Sequence, residues 1–176
     1  MKELSQHILD LIQNSISAGA SLIEVSILRE DDILIIEVSD NGCGMDADIA
    51  AKAVDPFYTG RTTRTVGLGL SLLNATAQRC DGYMNIDSKV GKGTKVRAVM
   101  RYSHIDRPPI GDIEGTMIAM IVGNPNIDFV YHYNVDNVKI DIDTRQIKAI
   151  LGEVPINNPD VVDWLMKYIG KGSAIK

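Results

Sequence analysis

Apolar residues recur three or four apart at Leu4, Ile8, Leu11, Ile12 and Ile16, which predicts an amphipathic helix ending near Gly19. Its opposite stripe is Glu3, His7, Asp10 and Asn14. The period then falls to two: Ile23, Val25 and Ile27 alternate with Glu24 and Ser26. A polar run over 29–32 turns the chain, and 33–38 returns as a more apolar strand, so a β-hairpin is expected. Asp46 suits the cap of a short helix through Val54, and 55–66 is expected to be an exposed loop. Helical spacing resumes over 68–78 and stops before Gly82, after which 83–88 and 94–100 read as strands joined by Gly91-Lys92-Gly93.

Beyond residue 102 the pattern weakens. The stretch 103–115 holds Pro108-Pro109 and predicts a linker between a first domain, 1–102, and a C-terminal extension, 116–176. Within the extension, strands are expected at 116–122, 127–133 and 138–142, followed by a helix capped at Asp143. A last helix has Asn158 as cap, Pro159 in its first turn and Gly170 at its end. The extension reads either as a docking or dimerisation module or as added strands at the edge of the first sheet.

At 176 residues with 45% hydrophobic and 23% charged positions, the chain has enough apolar material for a core and is not of disordered composition. Lys plus Arg number 18 against 23 Asp plus Glu, a net charge of −5, which argues against nucleic acid as partner. No apolar stretch approaches the roughly 18 residues of a membrane-spanning helix. Met1-Lys2-Glu3 enters the helix pattern without a signal peptide, and Cys43 and Cys80 form no CxxC pair. A cytoplasmic location is therefore expected, with both cysteines as small packing residues.

Four short patterns carry candidate chemistry. Asp10 and Asn14, four apart, share one helix face, where a carboxylate and a carboxamide oxygen suit a hydrated magnesium ion and a polarised water. The same pair also suits a solvated face. "DNGCGM", residues 40–45, sets an acid at a strand end before two glycines, which fits a flat ring bearing an exocyclic amine and fits a plain turn. Gly67-Leu68-Gly69 opens a helix after a loop carrying Arg61 and Arg64, an arrangement that suits phosphate oxygens. Gly91-Lys92-Gly93-Thr94 sits between strands and by itself suggests a hairpin turn.

Taken in order, these patterns resemble the four boxes of the GHKL superfamily, the ATP-binding domains of gyrase, heat-shock chaperone ATPases, histidine kinases and mismatch-repair ATPases. The resemblance covers residues 3 to about 101. "LIQNSISAGASLIEVSI", 11–27, is similar to the mismatch-repair type, and "DPFYTGRTTRTVGLGLSLL", 55–73, to sensor histidine kinases. It implies an α+β fold, the two-layer α/β sandwich called the Bergerat fold, with a small C-terminal α+β extension.

By the same resemblance, Asn14 ligates Mg2+ and Asp40 binds the adenine amino group. Gly42, Gly44 and Met45 belong to the adenine wall. Arg61, Arg64, Gly67, Leu68 and Gly69 face the phosphates, and Thr94 reaches back toward adenine and Asp40. Asp10 stands where ATPase branches place a glutamate base, one methylene shorter, which argues against proton abstraction. His7 is expected to be a solvated or supporting histidine rather than a phosphoacceptor. The implied function is an ATP·Mg-binding histidine kinase-like domain that transfers the γ-phosphoryl to a partner protein in trans. An ATPase switch and a non-catalytic ATP-responsive module are the alternatives, and a homodimer is compatible with each.

Overall fold

Strands β1 (Leu22–Glu30) and β2 (Ile33–Asp40) are the spine of the fold, because each turns an apolar row toward the same side. Ile23, Val25 and Ile27 of β1 and Leu34, Ile36 and Val38 of β2 are buried, whereas Glu24 lies on the opposite, open face. The computed structural model describes residues 2–53 and 69–173. Around the spine, β3 (Tyr83–Lys89), β4 (Gly93–Arg101), β5 (Asp128–Val135) and β6 (Val138–Asp143) complete a six-stranded sheet in the order β3-β4-β2-β1-β5-β6. Neighbours are antiparallel except β1 and β5, which run parallel with Val25 opposite Tyr131.

Helices α1 (Leu4–Ser17), α3 (Gly69–Arg79), α4 (Ile113–Gly123) and α6 (Pro159–Ser173) pack on the sheet. Together they enclose one core that runs from Leu4 and Ile8 through Leu73 and Met117 to Phe129 and Leu165. This is the two-layer α+β sandwich expected. Two short helices, α2 (Ala47–Lys52) and α5 (Thr144–Leu151), begin as anticipated at Asp46 and Asp143, whose carboxylates accept from the Ile49 and Arg145 amides.

Residues 116–122, expected as a strand, belong to helix α4. The run Thr-Met-Ile-Ala-Met-Ile-Val is apolar all round, and periodicity cannot separate strand from helix in such a run. Asp112 decides locally, its carboxylate accepting from the Gly115 amide at 2.8 Å, while Ile113, Met117 and Ile121 turn one stripe into the core. Helix α6 runs past Gly170 to Ser173, so that glycine does not end it. After α4, β5 pairs with β1 and β6 with β5, which makes the C-terminal segment an extension of the first sheet.

The connector is fixed to both parts. The Pro109 and Ile110 carbonyls accept from the Leu4 and Ser5 amides at 2.9 and 2.8 Å, satisfying the start of α1, which has no side-chain cap. The guanidinium groups of Arg29 and Arg107 lie over the Tyr102 ring, 3.9 and 4.5 Å from its centre, and the Tyr102 hydroxyl donates to Asp136 in the β5–β6 turn.

Candidate nucleotide site

Asn14, Asp40, Gly44, Met45 and Thr94, five of the expected site residues, line one pocket where α1, β2 and β4 meet, while Asp10, Gly42 and Gly69 are not in its lining. The pocket, of about 220 Å3, is lined by Asn14 and Ser15 of α1, Ala18 just past its end, Asp40 of β2, Cys43 to Asp46, Leu70 of α3, and Thr94 and Val96 of β4. Asp40 and Thr94 are direct neighbours across β2 and β4. Leu11, Val38 and Val96 give the pocket an apolar floor.

Asp40 is held from two sides. Its Oδ1 accepts the Gly42 amide at 2.9 Å, and its Oδ2 accepts the Ser15 hydroxyl at 2.6 Å. Both oxygens keep a free lone-pair direction, so the carboxylate is oriented and still able to accept from a ligand amine. Asn41 secures the next residue, its Oδ1 accepting the Ser21 and Leu22 amides, both at 2.9 Å. The turn glycines are steric necessities at two points: Gly93 has φ +100 and an added Cβ would overlap the Asp40 carbonyl, and at Gly44, φ +66, it would overlap the Lys89 carbonyl. Ser88 joins these strands, accepting the Met45 amide at 2.8 Å and lying 2.8 Å from the Thr94 hydroxyl.

On α1, Asn14 lines the pocket, and its carboxamide has no hydrogen-bond partner among the described residues. One turn back, Asp10 lies at the first residue of α3: a Cβ on Gly69 would stand 2.9 Å from Asp10 Oδ2. Burial in that cleft raises the Asp10 pKa above the usual carboxylate value. Arg61, Arg64, Gly67 and Leu68, with the 55–66 loop, lie outside the described residues.

Ser15, Asn41 and Ser88 escaped the sequence reading. Ser15 did leave a signal: it follows Leu11 by four, so its hydroxyl had to find a partner on the apolar stripe. His7, expected to be solvated or supporting, is only 2% exposed. It lies beside Leu72 and Thr76 of α3, because packing α3 on α1 covers that part of the polar stripe. Cys80 is buried as expected, whereas Cys43 is exposed at the pocket rim, since its amide and carbonyl are spent on Ala18 and Gly91 and its side chain turns outward.

Residues 2–104 match the family model described as "Histidine kinase-, DNA gyrase B-, and HSP90-like ATPase". The chain belongs to this ATPase family. As a GHKL ATPase or kinase it is similar to a putative sensor protein of Shewanella frigidimarina, with 32% identity over 60% of this chain and 17% of that protein. It is also similar to sensor kinase CckA of Brucella abortus, at 36% over 47% of this chain and 9% of that one, and to sporulation kinase B of Bacillus subtilis, at 33% over 53% and 22%. The GHKL chain thus spans less than a quarter of these relatives' lengths.

Among solved structures, the fold resembles the Aquifex aeolicus MutL ATPase domain complexed with ADP, with TM-score 0.51, 13% identity, and coverage of 95% of this chain and 88% of that one. It also resembles the N-terminal domain of a DNA repair protein, with TM-score 0.58, 18% identity, and coverage of 87% and 58%. Among the described residues no helix is long and apolar enough to cross a membrane.

Proposed function

We propose that this pocket binds ATP with its adenine amino group donating to Asp40, and that the domain transfers the γ-phosphoryl to a partner protein in trans. The observation that carries the reading is the oriented Asp40 carboxylate at the end of an apolar floor, with Gly42 and Ser15 fixing its plane. Similarity to sensor kinases favours a protein acceptor. Residues 1–102 form the nucleotide-binding domain in this reading, with 103–115 as its connector to 116–176.

A magnesium ion fits the oxygen donors present. Asn14 would hold it through its carboxamide oxygen, with Asp10 on the preceding turn within the same outer sphere, and a site with few protein ligands is what Mg2+ accepts when phosphates complete it. When bound, the ion neutralises phosphate charge. The chain's own residues do the rest. Asp40 selects the base, Met45 and the Gly42 and Gly44 backbone wall it, and Thr94 closes the side opposite α1. Gly67, Leu68 and Gly69, with Arg61 and Arg64, meet the phosphates.

A second reading, an ATPase switch, draws support from Asp10. Its carboxyl lies against the start of α3 and its pKa is raised, both of which suit a proton acceptor for an attacking water. Incubation with γ-labelled ATP and magnesium separates the readings. A kinase without its acceptor retains intact bound nucleotide and releases no Asp10-dependent phosphate. Phosphate release that vanishes in Asp10→Asn would establish hydrolysis instead, and failure to retain nucleotide would overturn both.

A further inference from the structure

Of the large hydrophobic side chains exposed among the described residues, Ile150, Val154, Trp164, Met166 and Tyr168 all fall between positions 150 and 168. The rest are scattered from Ile33 to Ile105, and two of the five, Ile150 and Trp164, share one surface feature. That feature is a groove of about 320 Å3 between α5 and α6, with Ile147, Ile150, Leu151, Val161 and Trp164 as apolar lining. Val161 and Leu165 anchor α6 in the core, which leaves Trp164 and Tyr168, stacked with ring centres 5.2 Å apart, standing at one flank. This surface lies outside the residues matched to the ATPase family.

The charge inside the groove itself is acidic. Asp160 is the charged residue in its lining, with Asp163 and Glu153 close by in sequence. The basic side chains of α5 are already committed: Arg145 to Asp143 at 2.7 Å, and Lys148 to Asp128 at 2.7 Å. On α6, Lys167 lies a turn beyond Asp163. A second copy of this chain meeting the groove across a two-fold axis would bring a second Asp160 carboxylate to the same apolar contact. A partner with basic residues beside its apolar anchors complements both features.

We propose that the α5–α6 groove docks an amphipathic, basic helix of a partner protein. Its apolar residues, three and four apart, fill the groove over Ile150 and Trp164, and its Lys or Arg side chains meet Asp160 and Asp163. Helix α5 has 8 residues. At a rise of about 1.5 Å per residue it is about 12 Å long, which sets the contact at roughly two turns of the partner.

Trp164 is the single tryptophan of the chain, so its emission reports on the groove directly. The probes are a synthetic Leu/Lys amphipathic helical peptide and its Leu/Glu counterpart, titrated into the full chain. The expected result is a saturable blue shift with the Leu/Lys peptide alone. Affinity should fall about tenfold or more in Asp160→Lys/Asp163→Lys and stay unchanged in Glu30→Lys/Asp87→Lys, a reversal of the same size elsewhere on the surface. The Asp160→Lys/Asp163→Lys chain should in turn gain binding of the Leu/Glu peptide, which an unfolded variant could not do. No shift, an equal shift with both peptides, or equal losses in the two charge-reversed chains would overturn the proposal. So would sedimentation showing a dimer that buries Trp164 and excludes the peptide.

Discussion

In the proposed function Asp40 reads the base, and its carboxylate is held in one orientation for that task. Its orientation comes from a backbone amide and a hydroxyl, and the hydroxyl comes from the helix that also carries Asn14. Replacing Asp40 with Asn keeps the shape and removes the charge-assisted acceptor, so ATP affinity should fall by about 1.5–3 kcal/mol, roughly tenfold to hundredfold, by isothermal titration. Unchanged affinity in a folded Asp40→Asn protein would remove Asp40 from the site. Ser15→Ala takes away only the orienting bond and should weaken binding less, by about 1 kcal/mol. Equal losses from the two changes would mean that Ser15 touches the nucleotide itself. That Asp40, Asn14 and Thr94 belong together was legible in the sequence because each sits in a short pattern, and the three do line one pocket. Ser88 was not, since a serine on an edge strand has no pattern, and its partners Met45 and Thr94 come from elsewhere in the chain.

Among elements, the α1–α3 pairing matters most because it buries a titratable group. Burial lowers the His7 pKa to about 4, from an ordinary 6.5. Above pH 6.5 the ring is neutral in both folded and unfolded chains, and His7 adds no pH dependence. Below it the unfolded chain takes up the proton first, so stability is lost as pH falls from 6.5 toward 4, by up to about 3 kcal/mol. His7→Leu should flatten that part of a melting-temperature profile, and an unaltered profile would mean that the ring is hydrated in solution. The helical pattern of α1 was plain in the sequence, but the burial of its polar stripe was not. That burial depends on α3, more than fifty residues later. The nature of α4 was hidden for the opposite reason: an unbroken apolar run fits strand and helix alike, and the cap at Asp112 is the local cue that separates them.

For the whole molecule the decisive contact is β5 against β1. It converts an edge strand of the nucleotide-binding part into an interior one and closes the core over Phe129 and Tyr131, both fully buried. A chain ending at residue 112 would expose β1 as an unpaired apolar edge. It should elute from size-exclusion chromatography as oligomers or aggregate, and a monomer with the melting temperature of the full chain would show that the first 112 residues are self-sufficient. Sequence reading marked the place where the patterns change but could not rank a separate module above added strands. Parallel pairing over such a distance leaves no local trace, because its register is set by the fit of two apolar rows.

The pairing of Leu22 with Asp128 also places a constraint on synthesis. A contact this remote along the chain is slow to form, since a long loop must close before it is rewarded. On the ribosome, α1, β1 and β2 emerge early with one flank open, and they wait through the whole of the nucleotide motifs for β5 to leave the exit tunnel. Competence to hold ATP should therefore appear only after β5 has been made, and a nascent chain arrested before β5 should depend on chaperones to stay single.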